Sequence, residues 1–285
     1  MMFSPILFST IFQLFIVTCT LHSCMDGSIQ WIGWGTSSAL VAKQLIPSME
    51  LKHTKYIKAM AWCPTAPILV TASADGAVSL VKVSNFQDDV TIKVEQIEQL
   101  NLNGPVESLC FTADGTTLIC YTRGTPYLSY FDLGNHMAHT KVNLNDAAGV
   151  GTAAFGDHVS FAVMDMAVSP QGGKWLALAT DTSRNIVIDI STGKQLRNLY
   201  GHKNDSYSLP KICWSRNGQY ILGNTQEDGS LCIWDVASST MVKQIDRSAG
   251  GHTMPIRDMC SSQMSDILVT TSFDKSTKLW MTPMD

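Results

Sequence analysis

Along this chain, short apolar runs alternate with clusters of turn residues, a pattern that predicts short antiparallel strands in place of helices. The pattern is clearest from Gly201 to Trp280. It reads Gly201-His202, an apolar run ending Ile212-Cys213-Trp214-Ser215, a turn at Arg216-Asn217-Gly218, a run Tyr220-Ile221-Leu222, a turn at Glu227-Asp228-Gly229, and Leu231-Cys232-Ile233-Trp234-Asp235. The same order returns about 45 residues later, a period that signals a solenoid or a propeller. There it runs through Gly251-His252, Ile256 to Ser261, Ile267 to Ser272, Phe273-Asp274-Lys275 and Thr277-Lys278-Leu279-Trp280. Each copy opens on Gly-His, places an Asp in its tight turn, and carries a Trp six positions after that Asp. An Asp there supplies an acceptor for the turn's backbone N–H groups.

Earlier units follow the same template with losses. His53, Ile57 to Pro64, Ile68 to Ser73 and Asp75 to Val81 form one, with Val81 where the Trp would stand. Without an indole partner, His53 is expected to be held less firmly than His252 and the rim of that unit to be less rigid. A third unit keeps only its apolar skeleton, in Val106 to Phe111, Leu118 to Tyr121 and Tyr127 to Asp132, and Arg123-Gly124-Thr125-Pro126 replaces the Asp-Gly turn. A fourth runs from Val163 to Ile190 and turns at Ser191-Thr192-Gly193-Lys194 into an outer strand, Gln195 to Tyr200. Between the third and fourth lies a Gly-, Ala- and Asn-rich stretch, in which His139 to Leu144 reads as a strand and the remainder as a long loop.

Residues 1–25 contain no charged side chain. One reading makes them the first two strands of a degenerate unit whose turn and third strand are Met25 to Trp31. The alternatives are a signal or short membrane anchor, or an artefact of the start site. The positive flank of a signal peptide is missing, and Ser, Thr and Gln dilute the apolar run. This divides the chain into an apolar segment at 1–25 and a repeat domain at 26–285.

These repeats resemble the WD-repeat family, whose members fold as β-propellers of four-stranded antiparallel blades. The resemblance implies six recognisable blades, or an incomplete ring of seven. It implies also that a segment near Phe3 to Phe8 supplies the outer strand that the last unit lacks. In the last unit His252, Ser272, Asp274 and Trp280 match the family's four-residue hydrogen-bond chain. His202, Asp228 and Trp234, and His53, Ser73 and Asp75, stand at repeat positions of the same structural kind. A buried indole and a buried imidazole both need partners, so a structural role for these residues is expected over a catalytic or metal-binding one. The family implies an interaction platform, with partners met by the loops before each first strand and between the second and third. Those loops carry Lys203, Asp205, Tyr207, Glu227, Phe273 and Lys275, with Tyr207 and Phe273 as exposed anchors; a Tyr207 packed on its own loop is the alternative.

Composition narrows the function. With 285 residues, a net charge of −4 and no Lys/Arg cluster, the chain has the makings of a large core and no field to gather nucleic acid. Its eight cysteines stand mostly inside apolar runs and form no CxxC pair, which indicates a reducing compartment, cytoplasmic or nuclear. His53, His136, His139 and His158 have no metal-ligand spacing, and Thr192-Gly193-Lys194 lacks the remainder of a phosphate loop. No nucleophile stands with a base and an orienting group. The expectation is a non-enzymatic scaffold or adaptor without cofactors, a subunit of a multiprotein complex. The alternatives are a substrate receptor of a ubiquitin ligase, although no Arg follows Trp234-Asp235 at the place such receptors often carry one, and a secreted propeller with ligand-binding or hydrolase activity. No heptad pattern supports a G-protein β-like start.

Overall fold

The structure, a computed structural model, describes residues 9–14, 17–34, 42–84, 91–145, 160–205, 207–262 and 265–281. In chain order its 23 strands fall into five sets of four and a last set of three. The protein divides into two compact units, residues 1–123 and 124–285.

The first unit holds β1 (Ser9–Leu14), β2 (Val17–Ser23), β3 (Ile29–Trp34), β4 (Ala42–Pro47), β5 (Ile57–Trp62), β6 (Ile68–Ser73), β7 (Ala77–Ser84), β8 (Thr91–Asn101), β9 (Val106–Phe111) and β10 (Thr117–Thr122). Successive strands pair as antiparallel hairpins, as their short turns dictate. The outer strands β4 and β8 then meet in parallel at Ile46↔Thr91 and Pro47↔Ile92, which merges two blades into one eight-stranded sheet. Ser48 extends the joint: its N–H donates to the Ile92 carbonyl at 2.9 Å, and its hydroxyl accepts from the Val94 N–H at 2.9 Å. Leu21, Trp31, Leu45, Leu69, Val81, Val83, Ile92 and Val94 pack under this sheet. Middle strands are buried on both faces and so read as near-continuous apolar runs, such as Ile68-Leu69-Val70. The outer strand β8 alternates at first and then exposes nearly every residue, which accounts for its Lys, Glu and Gln content.

The second unit holds the hairpin β11 (Tyr127–Asp132) and β12 (Ala138–Asn143). Two four-stranded blades follow, β13 (Val163–Val168), β14 (Trp175–Thr180), β15 (Asn185–Asp189) and β16 (Gln195–Leu199), then β17 (Ile212–Trp214), β18 (Tyr220–Asn224), β19 (Leu231–Asp235) and β20 (Met241–Ile245). The last blade, β21 (Ile256–Ser261), β22 (Ile267–Ser272) and β23 (Thr277–Met281), has three strands among the described residues. Ala177, Ala179, Val187, Leu199, Ile212, Trp214, Ile221, Cys232 and Trp234 form one buried cluster spanning two blades. The indole N–H of Trp214 is satisfied by the Ala167 carbonyl at 2.8 Å.

A shared irregularity sets up the surface described next. The first strands β5, β9, β13 and β21 each slip register near their start, at Ile57/Ala59, opposite Tyr121/Thr122, at Val163/Asp165 and at Ile256/Asp258. Each slip is a β-bulge, which leaves one residue out of the ladder and re-aims its side chain. The residues so placed are Lys58, Glu107, Met164 and Arg257.

The expected strands of the later units lie within a few residues of the observed ones; the outer strand expected at His139 to Leu144 is Ala138–Asn143. The closing segment near Phe3 to Phe8, most of the long loop, and His158 lie outside the described residues. Among the described residues, no helix is long and apolar enough to cross a membrane.

Candidate interaction face and the hydrogen-bond chains beneath it

In the last blade, His252 Nδ1 lies 2.9 Å from Asp274 Oδ2, its Nε2 lies 2.8 Å from the Thr270 hydroxyl, and the Trp280 indole N–H donates to that hydroxyl at 2.8 Å. The Asp274 carboxylate can only accept, so Nδ1 carries a proton, whereas the Thr270 hydroxyl, which accepts from the indole, can either donate to Nε2 or accept from it. Asp274 also accepts from the Thr253 N–H at 3.0 Å and the Ser276 N–H at 2.9 Å. Partial burial pushes the Asp274 carboxyl up. The hydrogen bonds from Ser276, Thr253 and His252 outweigh this and hold it well below the usual carboxylate range.

The hydroxyl in this chain corrects the sequence reading, which gave that place to Ser272. Trp280 pairs with Leu268 across the ladder, so Thr270 is its diagonal neighbour on the same face. Ser272 lies two residues farther along, about 13 Å from Leu268 in an extended strand. Its hydroxyl donates instead to the Met254 and Pro255 carbonyls at 2.8 and 3.1 Å, and accepts from the Asp274 N–H at 3.2 Å. Ser272 therefore ties the loop to the turn, while Thr270 ties the histidine to the indole.

The same division holds around His53. Its Nε2 is 2.8 Å from the Thr71 hydroxyl, and Ser73 donates to the Lys55 and Tyr56 carbonyls, both at 3.1 Å. Asp75 accepts from the Thr54 N–H at 2.8 Å and the Ala77 N–H at 2.9 Å. Burial raises the Asp75 carboxyl, and these bonds outweigh it to leave a value of about 2. The loss of the Trp at Val81 does not release His53, because its partner is a middle-strand hydroxyl; the imidazole is buried, and only its approach to Asp75 is longer, at 3.6 Å. Burial lowers the His53 pKa, with the Asp75 charge opposing.

In the blade of β17 to β20, which precedes the last one, the hydrogen-bond chain is broken. Trp234 pairs with Ile221, so the diagonal position is Gly223, which has no hydroxyl. A Cβ there would meet the Trp234 ring at 3.1 Å and the Lys211 carbonyl at 3.2 Å. The Trp234 N–H donates to the Tyr200 carbonyl at 2.7 Å, and His202 packs edge-on against the indole at 5.1 Å. Asp228 accepts from the Ser230 N–H at 2.9 Å and, among the described residues, makes no hydrogen bond with His202. Among the described residues, neither His202 ring nitrogen has a hydrogen-bond partner, and burial lowers its pKa to about 4.

These anchored loops present a surface. Tyr207 is 93% exposed, its N–H fixed by Asp205 at 3.0 Å, so the arrangement with its ring packed on its own loop is not the one observed. Phe273, Met254 and Leu209 are also exposed. Gln226 Nε2 joins the loops by donating to the Leu209 carbonyl at 3.2 Å, and the Phe273 N–H donates to the Pro255 carbonyl at 3.2 Å. Lys203 pairs with Glu227 at 3.2 Å, while Lys275 stands in the last turn with a φ of 65°. The Arg257 guanidinium lies over the Phe273 ring, 4.5 Å from its centroid. Arg257 was missed in the sequence; the available signal was a charged residue directly after the first apolar residue of an inner strand, as in Ile57-Lys58 and Val106-Glu107. Among the described residues, no group of His, Cys, Asp and Glu is arranged to hold a metal ion.

Comparison with known proteins agrees with this geometry. A nuclear distribution protein PAC1-2 from Uncinocarpus reesii is 33% identical over 91 residues, 30% of this chain and 19% of that protein. The nuclear distribution protein PAC1 of Arthroderma otae is 31% identical over 116 residues, 39% of this chain. The mouse peroxisomal targeting signal 2 receptor is 31% identical over 71 residues, 24% of this chain and 21% of the receptor. The matched stretches thus span a quarter or less of these relatives' length. A chain in the crystal structure of a mitotic checkpoint complex superposes with a TM-score of 0.65 over 93% of this chain and 73% of its own, at 17% identity, which shows a shared β-propeller fold. The WD domain, G-beta repeat family matches residues 46–81, 193–235 and 244–281, the stretches that carry His53, Trp234 and the His252 chain, and these stretches of the protein are WD repeats.

Proposed function

We propose that the protein is a non-enzymatic scaffold or adaptor that presents the loops around Lys203, Asp205, Tyr207, Glu227, Phe273 and Lys275 to partner proteins within a larger complex. The observation that carries this reading is Tyr207, a large aromatic at 93% exposure on a loop whose backbone is pinned by Asp205 and Ser208. Aromatic anchors on a pre-ordered loop cost little entropy on binding and dominate interface energies. The histidine chains beneath are structural on this reading: they hold the loops. A cytoplasmic or nuclear setting accords with relatives named as nuclear distribution proteins.

The test is recovery of partners from cells of the source with tagged wild-type protein, Tyr207→Ala and Phe273→Ala. Loss of the same partners from both variants, with melting temperature unchanged, is expected. Full recovery by a variant carrying both changes would defeat the proposal.

A further inference from the structure

Most charged groups on and beneath this face already have partners. Glu227 is taken by Lys203, and the Asp205 carboxylate accepts from Ser208 and from the Tyr207 N–H. Lys211 lies between Asp165 and Asp258, 3.9 and 3.8 Å away. In the first unit, the two charged bulge residues neutralise one another, with Lys58 at 2.5 Å from Glu107. Arg257 occupies the same position in its blade without a direct partner of that kind: among the described residues it makes no hydrogen bond or close ion pair, the Asp258 charge acts on it from a distance, and its guanidinium lies over the Phe273 ring. The carboxylate nearest in sequence, Asp258, is the one shared with Lys211. Lys275, one turn residue beyond Asp274, likewise makes no side-chain bond among the described residues and is exposed.

A guanidinium lying over an aromatic ring is restrained and partly stripped of water, and keeps N–H groups that a carboxylate can meet in two-point contact. Beside it, half-exposed Phe273 and Met254 offer apolar surface, fixed by the Ser272 hydroxyl and the Phe273 N–H. We infer that the corner formed by Arg257, Phe273 and Lys275 receives a Glu or Asp side chain from an acidic segment of a partner protein, with an adjacent apolar residue of that segment packed on Phe273 and Met254. This rests on the interaction-face reading above and adds the chemistry of the partner.

Two fluorescein-labelled synthetic peptides of equal length, one alternating Leu with Glu and the other Leu with Gln, are titrated with the full chain and followed by fluorescence anisotropy. Binding of the Glu peptide roughly tenfold tighter at low salt is expected, with the gap closing as salt is raised. Arg257→Gln should abolish the preference, and Arg257→Lys should keep part of it as a point charge without the planar fork. Circular dichroism of each variant checks that it folds. Equal binding of the two peptides, or an undiminished preference in Arg257→Gln, would overturn the inference. The two readings separate in the cell recovery experiment. Partners lost from Tyr207→Ala but kept by Arg257→Gln would overturn the acid recognition alone, and partners kept by both would overturn the interaction face as well.

Discussion

His252 and Trp280 share one hydroxyl, that of Thr270, which accepts from the indole and reaches the imidazole, both at 2.8 Å. Thr270→Val keeps the shape and strips two buried nitrogens of their partner at once. A loss of about 2–4 kcal/mol in urea unfolding is expected, against about 1 kcal/mol for Ser272→Ala, whose acceptors are carbonyls near the loop surface. Equal losses from the two variants would show that the chain does not run through Thr270.

His202 makes stability depend on pH. Its folded pKa of about 4 lies below the ordinary 6.5, because burial disfavours the cation. Between those values the unfolded chain binds the proton and the folded one does not. Stability is therefore full above about pH 6.5 and falls as pH drops toward 4, by up to about 3 kcal/mol. His202→Phe should flatten that part of the stability profile relative to wild type, leaving the share of His53, which is also lowered. Parallel profiles for the two proteins would contradict this.

Gly223→Ala tests why the middle blade lacks the hydroxyl. The added carbon lies 3.1 Å from the Trp234 ring and 3.2 Å from the Lys211 carbonyl, and the indole is fully buried. A cost of about 1–3 kcal/mol and an altered Trp emission spectrum are expected from thermal melts followed by fluorescence. No change in either would mean that the indole has room to move.

Glu107 is buried between Lys58 at 2.5 Å and Arg123 at 3.5 Å. Glu107→Leu alone strands the Lys58 charge and should cost about 3–5 kcal/mol, whereas Glu107→Leu with Lys58→Met should recover much of it. A double-mutant cycle in urea measures the difference, and a double variant no better than the single one would argue against the pair.

The blades were legible in the sequence because strand alternation and turn residues recur at a fixed period, and period is a property of letters alone. The histidines and their Asp partners were legible for the same reason. The bridging hydroxyl was not: Thr270 and Ser272 have the same hydrogen-bonding chemistry, and only the ladder that sets Trp280 opposite Leu268 chooses between them. His202 was hidden likewise, since its Gly-His and Asp-Gly letters are intact and the missing group is a side chain that Gly223 does not have. The parallel joint of β4 and β8 left no mark in composition, because backbone pairing between outer strands asks nothing distinctive of their side chains.

The bulge near the start of the first strands also bears on how such a protein changes over generations. In a regular ladder every position is committed to one face, so a new charge must displace an apolar neighbour or its cross-strand partner. A residue left out of the ladder has no cross-strand partner of its own, and this chain holds a lysine, a glutamate, a methionine and an arginine at that one place in four blades, the glutamate and methionine buried and the lysine and arginine partly exposed. Where that place is partly exposed, as at Lys58 and Arg257, a single codon can alter what the surface recognises while the layers below keep their registration. A duplicated blade can in this way acquire a new specificity before its core has diverged at all.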